Sequence, residues 1–153
     1  MLWDRKSLIK CMRNLMRRRS FSSISITDIC DLAGISRRSF YRYYPDKYAL
    51  LEYIYDTCFF QKLDTYEGYN IWDYYRQICT QMANDPDFFR HAAEVDGQNG
   101  FYACYARLLH TLLEKDLAQT DGEEFDRKYF DILFSHSTDA LFEITKMSYA
   151  SRI

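Results

Sequence analysis

Helix-breaking residues are scarce in this sequence, which has two prolines and five glycines among 153 residues. Each short strand of a β-protein needs its own turn, so this scarcity favours long helices. No stretch of about 18 uncharged apolar residues occurs, which argues against a membrane-spanning helix. The charges of the first residues lie too close together for a signal peptide. We therefore expect an all-α protein in the cytoplasm.

Motifs for metals, disulfides and catalysis are also missing. The five cysteines are odd in number, contain no CxxC pair and lie at least 19 residues apart, so we expect reduced thiols in the core. The histidines His91, His110 and His136 are widely separated, which argues against a metal site. No nucleophile elbow, phosphate loop or paired-carboxylate motif occurs. We expect neither a cofactor nor enzyme activity.

Charge is divided unevenly along the chain. Residues 1–50 hold eleven Lys/Arg against four Asp/Glu, whereas residues 51–153 hold nine against eighteen. A basic first third is typical of a part that binds a polyanion, and an acidic remainder avoids one. We expect a DNA-binding part in residues 1–50 and a second helical part in residues 51–153, with a fourth helix, 47–65, as the link.

The stretch "AGISRRSFYRYYPDK" begins where a short helix ends. Ser25 and Asp28 form a capping-box pattern that predicts a helix from Ile26 to Leu32 or Ala33. Gly34 supplies the left-handed residue that ends this helix.

A third helix follows the glycine turn. Ser36 can cap a helix from Arg37 to Tyr44, which Pro45 ends. Asp46 can cap a fourth helix that begins at Lys47. Two short helices joined by a glycine turn, with an amphipathic helix before them, predict a helix-turn-helix.

The third helix carries residue types that recognise DNA. A helix-turn-helix places the first residues of its second helix against base edges in the major groove, and arginine pairs with guanine there. We expect Phe40 and Tyr44 to pack inward. The predicted DNA-binding residues are Ser25, Ser36, Arg37, Arg38, Ser39, Tyr41, Arg42, Tyr43 and Lys47. A solvated basic helix whose rings merely pack is the alternative.

Residues 25–51, "SITDICDLAGISRRSFYRYYPDKYALL", resemble the amino-terminal domain of the tetracycline-repressor (TetR) family of bacterial transcription regulators. The resemblance implies that Arg37, Arg38, Ser39 and Arg42 face bases, and that Tyr41, Tyr43 and Lys47 mostly hold phosphates. Two positions depart from the family pattern. Arg38 replaces a small residue, which implies a different operator preference. Tyr44 replaces a phenylalanine, so its hydroxyl needs an outlet from the core.

For residues 51–153 the same resemblance implies a helical domain that binds a small effector and dimerises through its last helices. The whole chain is then a homodimeric regulator, expected to be a repressor, that binds a palindromic operator in double-stranded DNA. Family members are commonly longer, so either this domain is a short variant or one dimer helix is absent. A last helix, about 125–149, has apolar residues on several faces, as a subunit interface requires.

The effector pocket is the least determined part of the sequence. Apolar walls with a few polar groups are typical of ligand pockets. The candidate residues are Trp72, Tyr75, Phe89, Tyr105 and His136. Ordinary core packing of the aromatic rings is the alternative, as is a ligand-independent regulator or interaction module without a pocket. The acidic residues Asp85, Asp87, Glu123, Glu124 and Asp126 are expected to be solvated.

Overall fold

The computed structural model describes residues 5–61, residues 71–119 and the single positions 132, 135, 136, 139 and 140. Within these residues the chain forms α-helices and no strand, so the all-α expectation is confirmed. The chain divides into two compact units, Met1–Cys104 and Tyr105–Ile153. The domain boundary predicted between residues 50 and 51 lies within the fourth helix of the first unit, and its functional meaning stays a prediction.

Helix α2 has the predicted bounds, and α4 begins at the predicted residue. The bounds are α1 Arg5–Met16, a 3-10 turn Phe21–Ser23, α2 Ile26–Ala33, α3 Arg37–Tyr41, α4 Lys47–Tyr55, a π-helical stretch Asp56–Phe60, α5 Ile71–Asn84, α6 Pro86–Ala93 and α7 Phe101–Gln119. Of the predicted last helix only the single positions 132, 135, 136, 139 and 140 are described, and these are helical, whereas the end of the predicted linker helix falls outside the described residues. No described helix is long and apolar enough to cross a membrane.

Helix α1 forms the centre of the first unit. Its residues Leu8, Met12 and Met16 follow one another every four positions and are almost fully buried. Such spacing places them on one face of the helix. Helix α1 packs against α2, α4 and α6, so this face joins the helix-turn-helix to the helices that follow it.

Aromatic rings fill the rest of this unit's core. Tyr55 and Phe59 contact rings of α6 and the start of α7, with centroid distances such as 4.8 Å for Phe59–Phe89 and 5.3 Å for Tyr55–Phe101. Phe88 and Phe89 are fully buried. Edge-to-face and tilted geometries are the favourable ones for such pairs. Phe89 is therefore part of the packed core of this unit.

The expectation that Asp85 is solvated is wrong. Its residue exposure is 8%, and its carboxylate accepts hydrogen bonds from Arg13 at 2.6 Å and from Arg17 at 2.8 Å. These arginines hold the pKa of Asp85 below its usual value, although burial opposes that shift. A carboxylate can be buried here because the guanidinium groups of Arg13 on α1 and of Arg17 just after it replace its hydrating water. Asp87, by contrast, is exposed as expected.

The cysteines are less buried than the sequence indicates. None of the five forms a disulfide, but only Cys30 and Cys104 are buried. Cys11 and Cys58 are half-buried, and Cys79 is exposed on α5. Apolar character alone does not decide exposure, because a helix in contact with few neighbours leaves some of its small residues at the surface.

Candidate nucleic-acid interface

The recognition helix α3 is positioned by one glycine and one serine. Gly34 has φ 67° and ψ 34°, the left-handed conformation that ends α2. Ser36 then accepts a hydrogen bond from the Ser39 backbone N–H at 3.1 Å, and the two hydroxyl groups lie 3.0 Å apart. The predicted caps are confirmed. Ser39, predicted to face bases, uses its hydroxyl within this cap.

Helix α3 is shorter than predicted. The sequence indicates a helix to Tyr44, but the regular helix ends at Tyr41. The N–H groups of Tyr43 and Tyr44 both reach the Phe40 carbonyl, at 2.9 and 3.1 Å, so one tight turn follows. Pro45 disfavours helical geometry only in Tyr44, the residue before it, so it does not explain why the regular helix ends at Tyr41. Tyr44 still points inward as expected.

Arg37, Arg38 and Arg42 are exposed. Arg37 donates from Nη2 to the Tyr41 hydroxyl at 3.3 Å, and the Arg42 guanidinium lies 5.9 Å from the Tyr43 ring centroid. Within the part of the chain that the structure describes, none of these arginines forms an ion pair with an acidic side chain. Their charges are therefore available to an external anion.

The aromatic residues of α3 and of the turn after it are divided between surface and core. Tyr41 is 46% exposed, beside the arginines, whereas Phe40 and Tyr44 are buried. The Tyr44 ring packs against Phe40 and Tyr53 at centroid distances of 6.0 and 5.6 Å. The expected outlet for the Tyr44 hydroxyl is absent: within the described residues it is buried without a hydrogen-bond partner. Burial raises its pKa to about 12.

Ser25 caps helix α2 as predicted. Its hydroxyl and its N–H both donate to Asp28, at 2.6 and 2.7 Å, and the Asp28 N–H returns a bond to the Ser25 hydroxyl at 3.1 Å. Arg19 lies 3.1 Å from the same carboxylate. The Ser25 bonds, aided by Arg19, lower the pKa of Asp28 to about 2. A charged Asp28 therefore keeps the start of α2 in place.

The Lys47 ammonium occupies a site that the sequence does not suggest. Its Nζ donates to the carbonyls of Phe21 and Ile24 at 2.9 and 2.7 Å and lies 3.4 Å from the Ser22 carbonyl. It also lies 4.5 Å from the Phe21 ring centroid. Three acceptors match the three donors of an ammonium group. A phosphate contact stays a prediction, and it requires Lys47 to leave these carbonyls.

The predicted effector residues are divided between the two compact units. Phe89 is packed in the core of the first unit, Tyr105 is buried in the second, and His136 is exposed. Nothing is described of the side chains of Trp72 and Tyr75, although both lie in α5. An effector role for these five residues stays a prediction.

The sequence interpretation missed the cluster of Arg13, Arg17 and Asp85. A signal was present, because Arg13 and Arg17 are one helical turn apart and Asp85 directly precedes a helix that begins with Pro86. Yet the two sites are 68 or more residues apart along the chain. Their contact depends on α1 and α6 packing together, which no local pattern predicts.

Together, the capped helices, the left-handed glycine and the exposed arginines of α3 define a helix-turn-helix DNA-binding domain. Residues 8–54 match the family described as bacterial regulatory proteins, tetR family. Residues 8–54 therefore form a DNA-binding domain of the TetR-family type.

One curated relative and one solved structure are informative. The chain is 30% identical over 67 residues to the HTH-type dhaKLM operon transcriptional activator DhaS of Lactococcus lactis subsp. lactis (strain IL1403). That alignment spans 44% of this chain and 36% of the relative, or about a third of its length.

The solved structure is described as the dihydroxyacetone kinase operon activator DhaS. It superposes with a TM-score of 0.64 over 94% of this chain and 82% of that chain, at 21% identity. At this level of identity the likeness establishes the fold alone.

Proposed function

We propose that this protein is a homodimeric, sequence-specific transcription regulator that reads a palindromic operator through α3. The observation that carries the proposal is the exposed set of Arg37, Arg38 and Arg42, which has no acidic partner within the described residues. An arginine that keeps its charge exposed on a short capped helix can form bidentate pairs with guanine. A regulator of this kind acts on bacterial DNA, which places it in the cytoplasm.

Arg37 and Arg38 begin the recognition helix, so we assign both to base edges, with Arg42 one turn on. We assign Tyr41 and Tyr43 to phosphates. Ser25 and Ser36 stand at helix starts, where free backbone N–H groups attract anions. Ser39 supports the cap beside Ser36 and can still accept a hydrogen bond at a base edge.

Selection of bound fragments from random duplex DNA tests this assignment. We expect a palindrome whose half-sites lie one helical turn, about 34–36 Å, apart. The matched control is the double variant Arg37→Ala/Arg38→Ala, which should lose the selected sequence while it keeps its helix content. A wild-type protein that enriches no sequence would contradict the proposal.

The dimer is part of the proposal because a palindrome needs two recognition helices. The expected interface helix, about 125–149, is apolar on several faces. Sedimentation at micromolar concentration should give twice the 18.4 kDa chain mass. If the protein sediments as a monomer and still selects a palindrome, the dimer forms only when two chains bind DNA.

We also propose that a small molecule bound in residues 51–153 changes the affinity of the protein for its operator. An effector that binds better to one spacing of the two recognition helices shifts the population towards or away from DNA. The alternative is a ligand-independent regulator or interaction module. We would favour that alternative if metabolite extracts left the operator affinity unchanged at every concentration tested.

The direction of regulation requires its own experiment. The sequence interpretation favours a repressor, whereas the relative is named a transcriptional activator. A reporter gene placed behind the selected operator distinguishes the two. We expect reporter output to rise when the Arg37→Ala/Arg38→Ala variant replaces the wild type, and a fall would establish activation.

A further inference from the structure

A groove lies in the first unit between helix α1 and the wall formed by the end of α4 and the π-helical stretch. We call it the basic groove. Its volume is about 530 Å³, within the roughly 300–1,000 Å³ that small-molecule sites occupy. Lys6, Lys10, Arg13 and Arg17 line one side, and Tyr53, Thr57 and Cys58 line the other.

Positive charge is concentrated on one face of α1. Lys6, Lys10, Arg13 and Arg17 follow at spacings of three and four residues, which align on a helix. Lys6 and Lys10 are exposed, and within the described residues neither forms an ion pair with an acidic side chain. Arg13 and Arg17 share the single carboxylate of Asp85. Four cations near the carboxylates of Asp85 and Asp87 leave an excess of positive charge.

One donor in the groove's lining lacks an acceptor. The Nε–H of Arg13 is buried and has no hydrogen-bond partner in the part of the chain described. A buried donor without a partner is unfavourable unless a ligand or an ordered water accepts its bond. Arg13 therefore lines the groove beside two exposed lysines, while its Nε–H points away from solvent and its guanidinium lies over the Phe59 and Phe88 rings.

The opposite wall has a different character. Thr57 donates to the Tyr53 carbonyl at 2.6 Å, a bond that leaves its hydroxyl oxygen able to accept. Tyr53 and Cys58, with Ile9 from α1, supply apolar surface. Thr57 and Cys58 belong to the π-helical stretch, a form that occurs frequently at functional sites. A ligand suited to both walls has an anionic group and a short apolar or hydroxyl-bearing part.

A DNA phosphate is the less suitable occupant. Helix α4 begins at Lys47, beside the turn before α2, and its other end forms the groove wall. Residues 47 and 58 are eleven positions apart, or about 16 Å along a helix. Asp85 at the start of α6 borders the groove's arginines. The part of the groove lined by Thr57, Cys58 and Arg17 therefore lies towards the end of α4 away from Lys47, whereas Tyr53 borders the helix-turn-helix through Tyr44.

We propose that the basic groove binds a small carboxylate- or phosphate-bearing molecule, with Lys6 and Lys10 on its anionic group and the Arg13 side chain beside them. Arg13 also holds Asp85, so the bound anion lies next to the contact between α1 and α6. Binding at this groove does not depend on the protein's reading of DNA, so the two proposals fail separately.

Isothermal titration of the full chain with citrate and with inorganic pyrophosphate, at fixed ionic strength, tests the proposal. We expect one site per chain for at least one probe. The double variant Lys6→Gln/Lys10→Gln should weaken its affinity roughly tenfold or more, since charge-assisted contacts are lost. The matched control Arg18→Gln/Arg90→Gln removes two exposed cations of the same unit outside the groove and should bind as the wild type does.

A second variant protects the test against misfolding. Thr57→Glu places a carboxylate opposite the lysines, so it should raise the thermal midpoint without ligand and abolish probe binding. Equal weakening in the groove variant and the control would mean general charge attraction and would overturn the proposal. The proposal would also be overturned if neither probe gave a binding signal. It would be overturned as well if the groove variant lowered the slope of operator affinity against salt by about two units, because that result assigns the two lysines to DNA phosphates.

Discussion

Arginines of the same chemistry occupy two contrasting environments in the first unit. On α3, Arg37 and Arg38 are exposed, and Arg37 bonds only to a neighbouring tyrosine hydroxyl. Arg13 of α1 and Arg17, just after the end of α1, converge on Asp85 at 2.6 and 2.8 Å. The α1 pair stabilises the contact between helices, while the α3 pair remains available to an outside anion.

This contrast teaches that a count of positive charges does not identify a DNA surface. The first fifty residues are strongly basic as a whole, yet some of that charge is already neutralised within the protein. Lys47 is a third case, because backbone carbonyls rather than a carboxylate engage it. The partner of each cation, and not its place in a basic stretch, decides what it does.

The largest effect on stability should come from Asp85→Asn. This change leaves two guanidinium groups without their counter-charge, and we expect a loss of about 2–3 kcal/mol in the free energy of unfolding. That figure lies below the range for fully buried pairs because Arg17 is partly exposed and screened. Chemical denaturation measures the loss. Asp87→Asn, an exposed control in the same helix, should change stability by less than about 0.5 kcal/mol.

Arg38→Ala should leave stability unchanged and cost roughly 1–3 kcal/mol on the selected operator, because an exposed arginine at the start of α3 is assigned to a base edge. Competition binding against operators changed at one base pair checks this result. Discrimination should relax at one position of the half-site. Equal weakening on every sequence would show that Arg38 contacts only phosphate.

Lys47→Met removes the ammonium from three carbonyls and keeps much of the side chain's length. We expect stability to fall by about 1–2 kcal/mol, since buried acceptors lose their donor. The slope of operator affinity against salt should stay as in the wild type. A slope lower by about one unit in the variant would show that Lys47 contacts a DNA phosphate, as the sequence predicts. Lys47→Arg provides a control that keeps the charge.

Tyr44→Phe tests the opposite situation, a buried polar group without a partner. Removal of the hydroxyl should stabilise the protein by about 1 kcal/mol, because the group loses water on folding without gaining a hydrogen bond. Thermal and chemical unfolding should agree on the sign. A loss of stability would mean that the hydroxyl has a partner such as an ordered water.

The smallest effect concerns Asp28 and acid. The pKa of Asp28 is about 2 in the folded protein against 3.8 ordinarily, so its charge stabilises the fold above pH 3.8, and this contribution disappears as the pH falls through about 2. The stability difference between wild type and Asp28→Asn should therefore shrink between pH 4 and pH 2. A constant difference would mean that Asn caps α2 equally well.

Local features of the fold were predictable because they depend on neighbours in the chain. The capping box at Ser25, the left-handed Gly34, and the caps Ser36 and Asp46 all agree with the structure. Each concerns residues within about four positions of one another, where side-chain chemistry determines backbone geometry. The early end of α3 is the local feature that the sequence interpretation missed.

Contacts between distant segments were not predictable in the same way. Asp85 resembles any acidic residue before a helix, and its burial follows only from the packing of α6 on α1. Lys47 resembles a phosphate ligand by position, but the 3-10 turn at 21–23 brings carbonyls to its ammonium. Both outcomes depend on an acceptor supplied from elsewhere in the chain.

The sequence by itself determined that this protein is helical and carries a helix-turn-helix with arginines at the start of its recognition helix. Periodicity, caps and one glycine suffice for that, because they act over a single turn. Only the tertiary structure decided which cations remain free. Helix packing places Asp85 beside Arg13 and Arg17 and carbonyls beside Lys47, while it leaves Arg37 and Arg38 facing outward.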